Sequence, residues 1–144
     1  DQISDALSCF KTQANRSQLI QKGKYSFVLD AYNANPTSTM AALISFAQKK
    51  AKSKGIILGD MLELGAEALG EHQKIASQVL AMKFEEIYLV GSLWPQLDVE
   101  HSKIKIFKTS EVLRDYFVEN PSNVTTLFLK GSRAIGLEKI LVAF

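Results

Sequence analysis

The chain has a single cysteine, Cys9, so it can form no intrachain disulfide and no cysteine-based metal site. Its two histidines, His72 and His101, are far apart and lack zinc-ligand spacing, so we predict no metal site. No apolar run approaches the ~18 residues that a membrane span requires, and the N-terminus is not a signal peptide, so we predict a cytoplasmic location. With 17 basic and 15 acidic residues, the net charge of +2 is too small to indicate a nucleic-acid or membrane partner.

The sequence also lacks the motifs that mark common catalytic and nucleotide-binding folds. It contains no G-x-x-x-x-G-K-[ST] phosphate loop and no G-x-G-x-x-G after the first strand of the predicted sheet. No local motif suggests a triad of serine, histidine and acid. We therefore predict that this chain alone does not hydrolyse nucleotides and that it carries no catalytic residue.

Short β-rich apolar runs alternate with segments of helical spacing along the chain. This rhythm predicts βαβ units and an α/β, Rossmann-like fold, with a mostly parallel, doubly wound sheet flanked by helices. The runs are nearly all apolar, as expected for strands that are covered on both faces. The predicted strands are 25–29, 55–58, 87–90, 104–107 and 125–129, and 18–22 could add a short strand that turns at Gly23.

Four apolar stripes predict helices on the faces of the sheet, and a fifth, at Ile3, Ala6, Leu7 and Phe10, predicts a short helix before it. The length of 144 residues suits one domain, 1–144. Because the chain begins in mid-pattern without an initiator methionine, we expect it to be a piece of a larger protein. The four stripes are Met40, Leu43, Ile44, Ala47 and Ala51; Ile75, Ala76, Val79 and Leu80; Val112, Leu113, Tyr116 and Phe117; and Leu137, Ile140, Leu141 and Phe144.

Polar residues or glycines follow four of the predicted strands. The carboxyl ends of parallel strands meet at one edge of a sheet, where ligands bind, so we expect these residues to lie close together. A carboxylate there can accept hydrogen bonds from ribose hydroxyls, while cationic side chains and the N–H groups that open the last helix can attract a carboxylate or phosphate. The residues are Asp30, Asn33 and Asn35; Gly59 and Asp60 with the loop 61–65; Gly91 and Ser92; and Lys130, Gly131, Ser132 and Arg133.

These residues also have ordinary structural interpretations. Asn35, which precedes a proline, is a good helix cap. Asp60 is equally typical of a turn. Lys130 and Arg133 are of types that are mostly solvated surface charges, and His72, next to an acid at a predicted helix start, is typical of an exposed helix residue.

Three segments in this order carry a resemblance to a known family. They are Asp-Ala-Tyr-Asn-Ala-Asn-Pro at 30–36, Leu-Gly-Asp-Met-Leu-Glu-Leu-Gly at 58–65 and Leu-Lys-Gly-Ser-Arg at 129–133. Together they resemble the C-terminal domain of a Mur ligase, over a similarity that runs from about Arg16 to the end of the chain. Within the family, they look most like the ligase that adds D-alanyl-D-alanine to a UDP-N-acetylmuramoyl-tripeptide during peptidoglycan precursor synthesis.

The resemblance implies a three-domain, ATP-dependent amide ligase. One domain would hold the UDP-sugar, a central domain would carry the phosphate loop, and this Rossmann-like domain would close over ATP and bring in the dipeptide. ATP would phosphorylate the terminal carboxylate of the UDP-muramoyl-tripeptide, and the amine of D-alanyl-D-alanine would attack the resulting acyl phosphate. The Mg²⁺ that accompanies ATP would be held mainly by the two domains outside this chain, which would be its partners.

The resemblance also assigns site residues by their match to the family motifs. Arg16 would reach the ATP phosphates, Asp30 would bind the ATP ribose, and Asn33 and Asn35 would shape the same pocket. Many relatives have Gly-Arg where this chain has Asn15-Arg16, and a second acid where it has Leu29. The residues expected to recognise the dipeptide are Lys130, Gly131, Ser132 and Arg133, and those expected to border the cleft are Asp60, Glu63 and His72.

Two alternatives stay open. One is another amide ligase of the superfamily, of the folylpolyglutamate or cyanophycin type, although the Tyr-Asn-Ala-Asn segment at 32–35 has one residue more than their usual pattern. The other is a stand-alone Rossmann-like binding module. A pure binding module would have no need of Arg16, Asp30 and the segment 130–133, which speaks against this second alternative.

Overall fold

The computed structural model describes residues 18–30, 34–99 and 101–144. The helix predicted at 3–10 and the candidate site residues Arg16 and Asn33 lie outside them. The described residues include six strands, in good agreement with the predicted runs. These are β1 (Gln18–Lys22), β2 (Tyr25–Asp30), β3 (Lys54–Gly59), β4 (Glu86–Val90), β5 (Ile104–Phe107) and β6 (Thr126–Lys130).

The strands form one sheet in the order β1-β2-β6-β3-β4-β5. Strand β1 pairs antiparallel with β2 across the turn at Gly23, and the other neighbours are parallel. The chain returns to the centre of the sheet with β6, which lies between β2 and β3. The prediction of a mostly parallel, doubly wound α/β sheet is therefore confirmed.

Among the described residues, three α-helices cover the sheet: α1 (Pro36–Gln48), α2 (Ala68–Ala81) and α3 (Ser110–Glu119). Two buried clusters show that they lie on opposite faces. Leu43 of α1 and Ile75 of α2 pack against one face of the sheet, and Leu113 of α3 packs against the other. The predicted stripe of α1 is partly wrong, because Ile44 is exposed and the helix ends before Ala51.

The last predicted helix is wrong in type. The chain after β6 forms two short 3₁₀ segments, Arg133–Ile135 and Leu137–Ala143. Gly136 separates them in a left-handed conformation, with φ of 70°. Apolar residues three apart, such as Leu137 and Ile140, can share a face in either helix type, so the stripe alone could not distinguish them.

No helix within the three described ranges is long and apolar enough to cross a membrane.

Candidate functional site

Asp30 and Lys130 form a salt bridge at the carboxyl edge of the sheet. They end the neighbouring parallel strands β2 and β6, whose register places the two residues opposite each other. Lys130 Nζ donates to Asp30 Oδ2 at 2.9 Å, and the side chains of Lys130 and Asp30 are 3% and 18% exposed. The interpretation of Lys130 as a solvated surface charge is therefore wrong, because its ammonium group is buried against a carboxylate.

Asp60, at the end of β3, joins the ends of three strands. Its carboxylate accepts hydrogen bonds from the N–H groups of Ser92 at 2.9 Å and Leu93 at 3.3 Å, both just after β4. Its own N–H donates to Val90 O at 3.0 Å, and its carbonyl oxygen accepts from Ser132 N at 3.1 Å. Asp60 is thus buried, and its contacts join the end of β3 to the segments that follow β4 and β6.

Burial also raises the pKa of Asp60 above its usual value, and the hydrogen bonds from Ser92 and Leu93 counter only part of that rise. Gly91 makes this arrangement possible. Its φ is 137°, and a Cβ on this residue would overlap the Asp60 carboxyl group. The sequence indicated a strand end at Gly91 and Ser92. It did not show that a carboxylate of the protein accepts hydrogen bonds from the two N–H groups that follow Gly91.

His72, in α2, hydrogen-bonds to the loop that follows β3. Its Nε2 accepts from Met61 N–H at 2.9 Å, so Nδ1 carries the ring proton and donates to Ala68 O at 2.6 Å. The ring is fully buried and lies edge-on to Trp94, with 4.6 Å between ring centroids. The expectation of an exposed helix residue is therefore wrong.

The segment 130–133 meets the loop after β3. Ser132 Oγ accepts from Leu62 N–H at 2.9 Å, and a Cβ on Gly131 would lie 2.8 Å from Gly59 Cα. Only glycine at position 131 therefore allows β3 and β6 to approach this closely. Arg133 and Glu63 are exposed at this edge, and Glu63 has a positive φ of 66°.

Asn35 is the N-cap of α1. Its Oδ1 accepts from Ser38 N at 2.9 Å, and Ser38 Oγ accepts in return from Asn35 N at 3.3 Å. This capping box, followed by Pro36 at the first helical position, explains where α1 begins. Asn35 therefore has the structural role that its sequence context also allowed.

We predict that Asn35→Ala lowers the unfolding free energy of the chain by about 1 kcal/mol, because the first turn of α1 loses its side-chain acceptor. Urea unfolding would measure this change. Asn35→Ser is the matched control, because serine caps a helix about as well as asparagine. Equal stability of the Ala and Ser variants would show that the cap contributes nothing.

In the part of the chain that the structure describes, no group of three or more His, Cys, Asp or Glu side chains is arranged to hold a metal ion. The edge of the sheet instead combines a partly exposed carboxylate at Asp30 with an exposed arginine, Arg133. Such a site can bind hydroxyl groups and an anion, and it offers no evident nucleophile among the residues described.

Comparison with known proteins gives one consistent family. The family model described as "Mur ligase, glutamate ligase domain" matches residues 15–133. The UDP-N-acetylmuramoyl-tripeptide–D-alanyl-D-alanine ligase of Rickettsia prowazekii is 33% identical over 129 residues, which cover 88% of this chain and 29% of that protein. The enzyme of the same name from Borreliella burgdorferi is 29% identical, over 99% of this chain and 32% of that protein.

Solved structures agree with this result. A crystal structure of MurF from Acinetobacter baumannii has a TM-score of 0.76 at 28% identity, covering 90% of this chain and 29% of that one. The MurF ligase of Thermotoga maritima, solved in complex with ADP, shares the fold with a TM-score of 0.73 at 20% identity, covering 90% of this chain and 30% of that one. The chain thus spans about a third or less of the length of these relatives.

Proposed function

The chain belongs to the Mur ligase family, and we propose that it is the C-terminal domain of the ligase that joins D-alanyl-D-alanine to UDP-N-acetylmuramoyl-tripeptide. The observation that carries this proposal is the similarity, over 88% of the chain, to a relative named for that reaction. The juxtaposition of Asp30, Lys130 and the segment 130–133 at one edge of the sheet supports it, because two of the three family motifs meet there.

The whole enzyme would be about three times as long as this chain, since the named relatives are. Its other two domains would hold the UDP-sugar and carry the phosphate loop with Mg²⁺. The γ-phosphoryl group of ATP would pass to the terminal carboxylate of the tripeptide, which gives ADP and an acyl phosphate. The amine of D-alanyl-D-alanine would then attack the acyl carbon, phosphate would leave, and the amine proton would be lost to form the amide.

On this proposal, Asp30 accepts hydrogen bonds from the ribose hydroxyls of ATP. Arg16 and Asn33 would approach the nucleotide from the chain outside the described residues, and Asn35 would border the pocket while it caps α1. Arg133 is the exposed cation at the edge that suits the dipeptide carboxylate, because charge-assisted pairs to guanidinium are strong and directional. Asp60, Glu63 and His72 would belong to the loop that borders the cleft.

The domain would contribute positioning rather than proton transfer. Its closure over ATP would make the attack of a soluble amine nearly unimolecular and would exclude water from an acyl phosphate that water destroys. An effective concentration gained in this way can supply several kcal/mol of the barrier, about 7 or more in well-oriented systems. Such an enzyme would act in the cytoplasm, where soluble peptidoglycan precursors are made.

We predict that the full-length protein releases phosphate from ATP only when both UDP-N-acetylmuramoyl-tripeptide and D-alanyl-D-alanine are present. The 144-residue chain alone should release none, because it lacks a phosphate loop. A coupled phosphate assay, with mass spectrometry of the amide product, would measure both results. Glutamate with a folate substrate is the comparison that tests the folylpolyglutamate alternative. Turnover with that pair, or ATP turnover by the 144-residue chain, would contradict the proposal.

A further inference from the structure

The two residues of the salt bridge at the carboxyl edge are buried to different extents. Lys130 is 3% exposed and Asp30 is 18% exposed, so a ligand that approaches from solvent meets the carboxylate first. The parallel register of β2 and β6 fixes this arrangement, because it places Lys130 directly opposite Asp30 in the sheet. The lysine is therefore the more deeply buried member of the pair.

The carboxylate can serve Lys130 and a ligand at the same time. Lys130 Nζ donates a hydrogen bond to Asp30 Oδ2 at 2.9 Å. An ionised carboxylate has two oxygens with about four acceptor sites in all, so others remain for a ligand. Lys130 Nζ holds one of these oxygens through a charge-assisted hydrogen bond. It also restricts rotation of the carboxylate, and a fixed acceptor binds a ligand at a lower entropic cost.

We propose that Lys130 is a positioning residue for the nucleotide, which holds the Asp30 carboxylate oriented toward the ribose hydroxyls, rather than a ligand of the dipeptide. This inference rests on the proposed function and changes one assignment within it. Recognition of the dipeptide carboxylate is then left to Arg133, which is exposed at the same edge. Lys130 and Arg133, three residues apart in one motif, serve different substrates.

The test is a kinetic comparison in the full-length ligase. Lys130→Met keeps a long apolar stem and removes the charge. We expect it to raise the KM for ATP about tenfold or more, which corresponds to the loss of orientation for one charged hydrogen-bond acceptor. The KM for D-alanyl-D-alanine should change less than about twofold, because the lost contact serves ATP and not the dipeptide.

A second readout isolates the ribose contact from general damage. The wild-type enzyme should use 2′-deoxyATP or 3′-deoxyATP less well than ATP. Each deoxy analogue lacks one ribose hydroxyl that would donate a hydrogen bond to Asp30. Lys130→Met should shrink this preference, as a coupling between the ribose hydroxyl and Lys130 requires. A merely structural role would lower turnover with ATP and with the analogue by the same factor.

Lys139→Met is the matched control. Lys139 also forms a salt bridge, with Glu111 at 3.0 Å, but it is half exposed and lies outside the candidate site, so both KM values should stay unchanged. If Lys130→Met does not fold, Lys130→Gln removes the charge with a polar side chain and leaves Asp30 in place, and it should show the same split between ATP and dipeptide.

Two outcomes would overturn the inference. A rise in the KM for the dipeptide with the KM for ATP unchanged would make Lys130 a dipeptide ligand. An equal loss with every substrate and analogue would make it a structural residue only. Failure of the wild-type enzyme to form the amide product would instead overturn the proposed function, and it is read from a different sample.

Discussion

Gly91→Ala should lower the unfolding free energy of the 144-residue chain by about 3 kcal/mol or more, since two costs act at the same atom. The φ of Gly91 is 137°, where residues with a Cβ are strained, at about 1–3 kcal/mol. The added Cβ would also overlap the Asp60 carboxyl group, and overpacking of this kind costs about 1–3 kcal/mol. Relief would require Asp60 to leave the N–H groups of Ser92 and Leu93, which would then lose their acceptor.

Urea unfolding followed by circular dichroism would measure this effect. Gly70→Ala is the matched control, because Gly70 lies within α2 and a Cβ added there would have no atom within 4 Å beyond its own helix backbone and chain neighbours. Alanine there should stabilise the chain, by about 0.5–1 kcal/mol, because glycine in a helix costs more backbone entropy than alanine. Gly91→Ala with unchanged stability would show that the Asp60 carboxylate is not seated against Gly91 in solution.

The element order could be predicted because the strand runs of this fold are covered on both faces. The runs at 27–29, 56–58 and 127–129 are almost entirely apolar, which is typical of parallel strands that are covered on both faces. Their ends, marked by Asp30, Asp60 and Lys130, are therefore also visible in the sequence. That all three lie at one edge follows from parallel pairing alone and needs no side-chain detail.

Pairings between distant residues could not be predicted in the same way. Asp30 and Lys130 are 100 positions apart in the chain, and only the strand order and register bring them together. Without that register, the residue type of Lys130 predicts a surface charge, and nothing nearby in the sequence indicates that Lys130 is buried. The same limit applies to Asp60, whose acceptor role depends on the backbone conformation at Gly91, just beyond another strand.

His72 shows a related limit for helix patterns. Apolar periodicity in α2 indicates Ile75, Ala76 and Val79 as the buried face, and all three are buried. His72 lies four positions before Ala76 and so shares this face, but polar residues on such a face are normally excluded unless both of their hydrogen-bonding atoms are satisfied. The partners Met61 N and Ala68 O become known only from the loop that follows β3 and from the first turn of α2.

Asp30→Ala should be the other strongly destabilising substitution, with a loss of about 3–5 kcal/mol in unfolding free energy. It leaves the ammonium group of Lys130 buried without the carboxylate that faces it, and a buried charge that has lost its counter-ion is far more costly than the absence of the whole pair. Adding Lys130→Met to Asp30→Ala should therefore recover most of the loss. Thermal or urea unfolding of the two single variants and the double variant gives this coupling directly.

The half-exposed pair of Lys139 and Glu111 is the control for this cycle, since exposed salt bridges contribute little. If Asp30→Ala costs no more than Glu111→Ala, the ammonium group of Lys130 reaches water in solution, and the pair is not buried as described. The cycle also decides how the activity of an Asp30 variant is interpreted. Lost ligase activity in Asp30→Ala alone could follow from unfolding, whereas a raised KM for ATP in the stable double variant would report the ribose contact itself. A double variant that binds ATP as the wild type does would remove Asp30 from the nucleotide site.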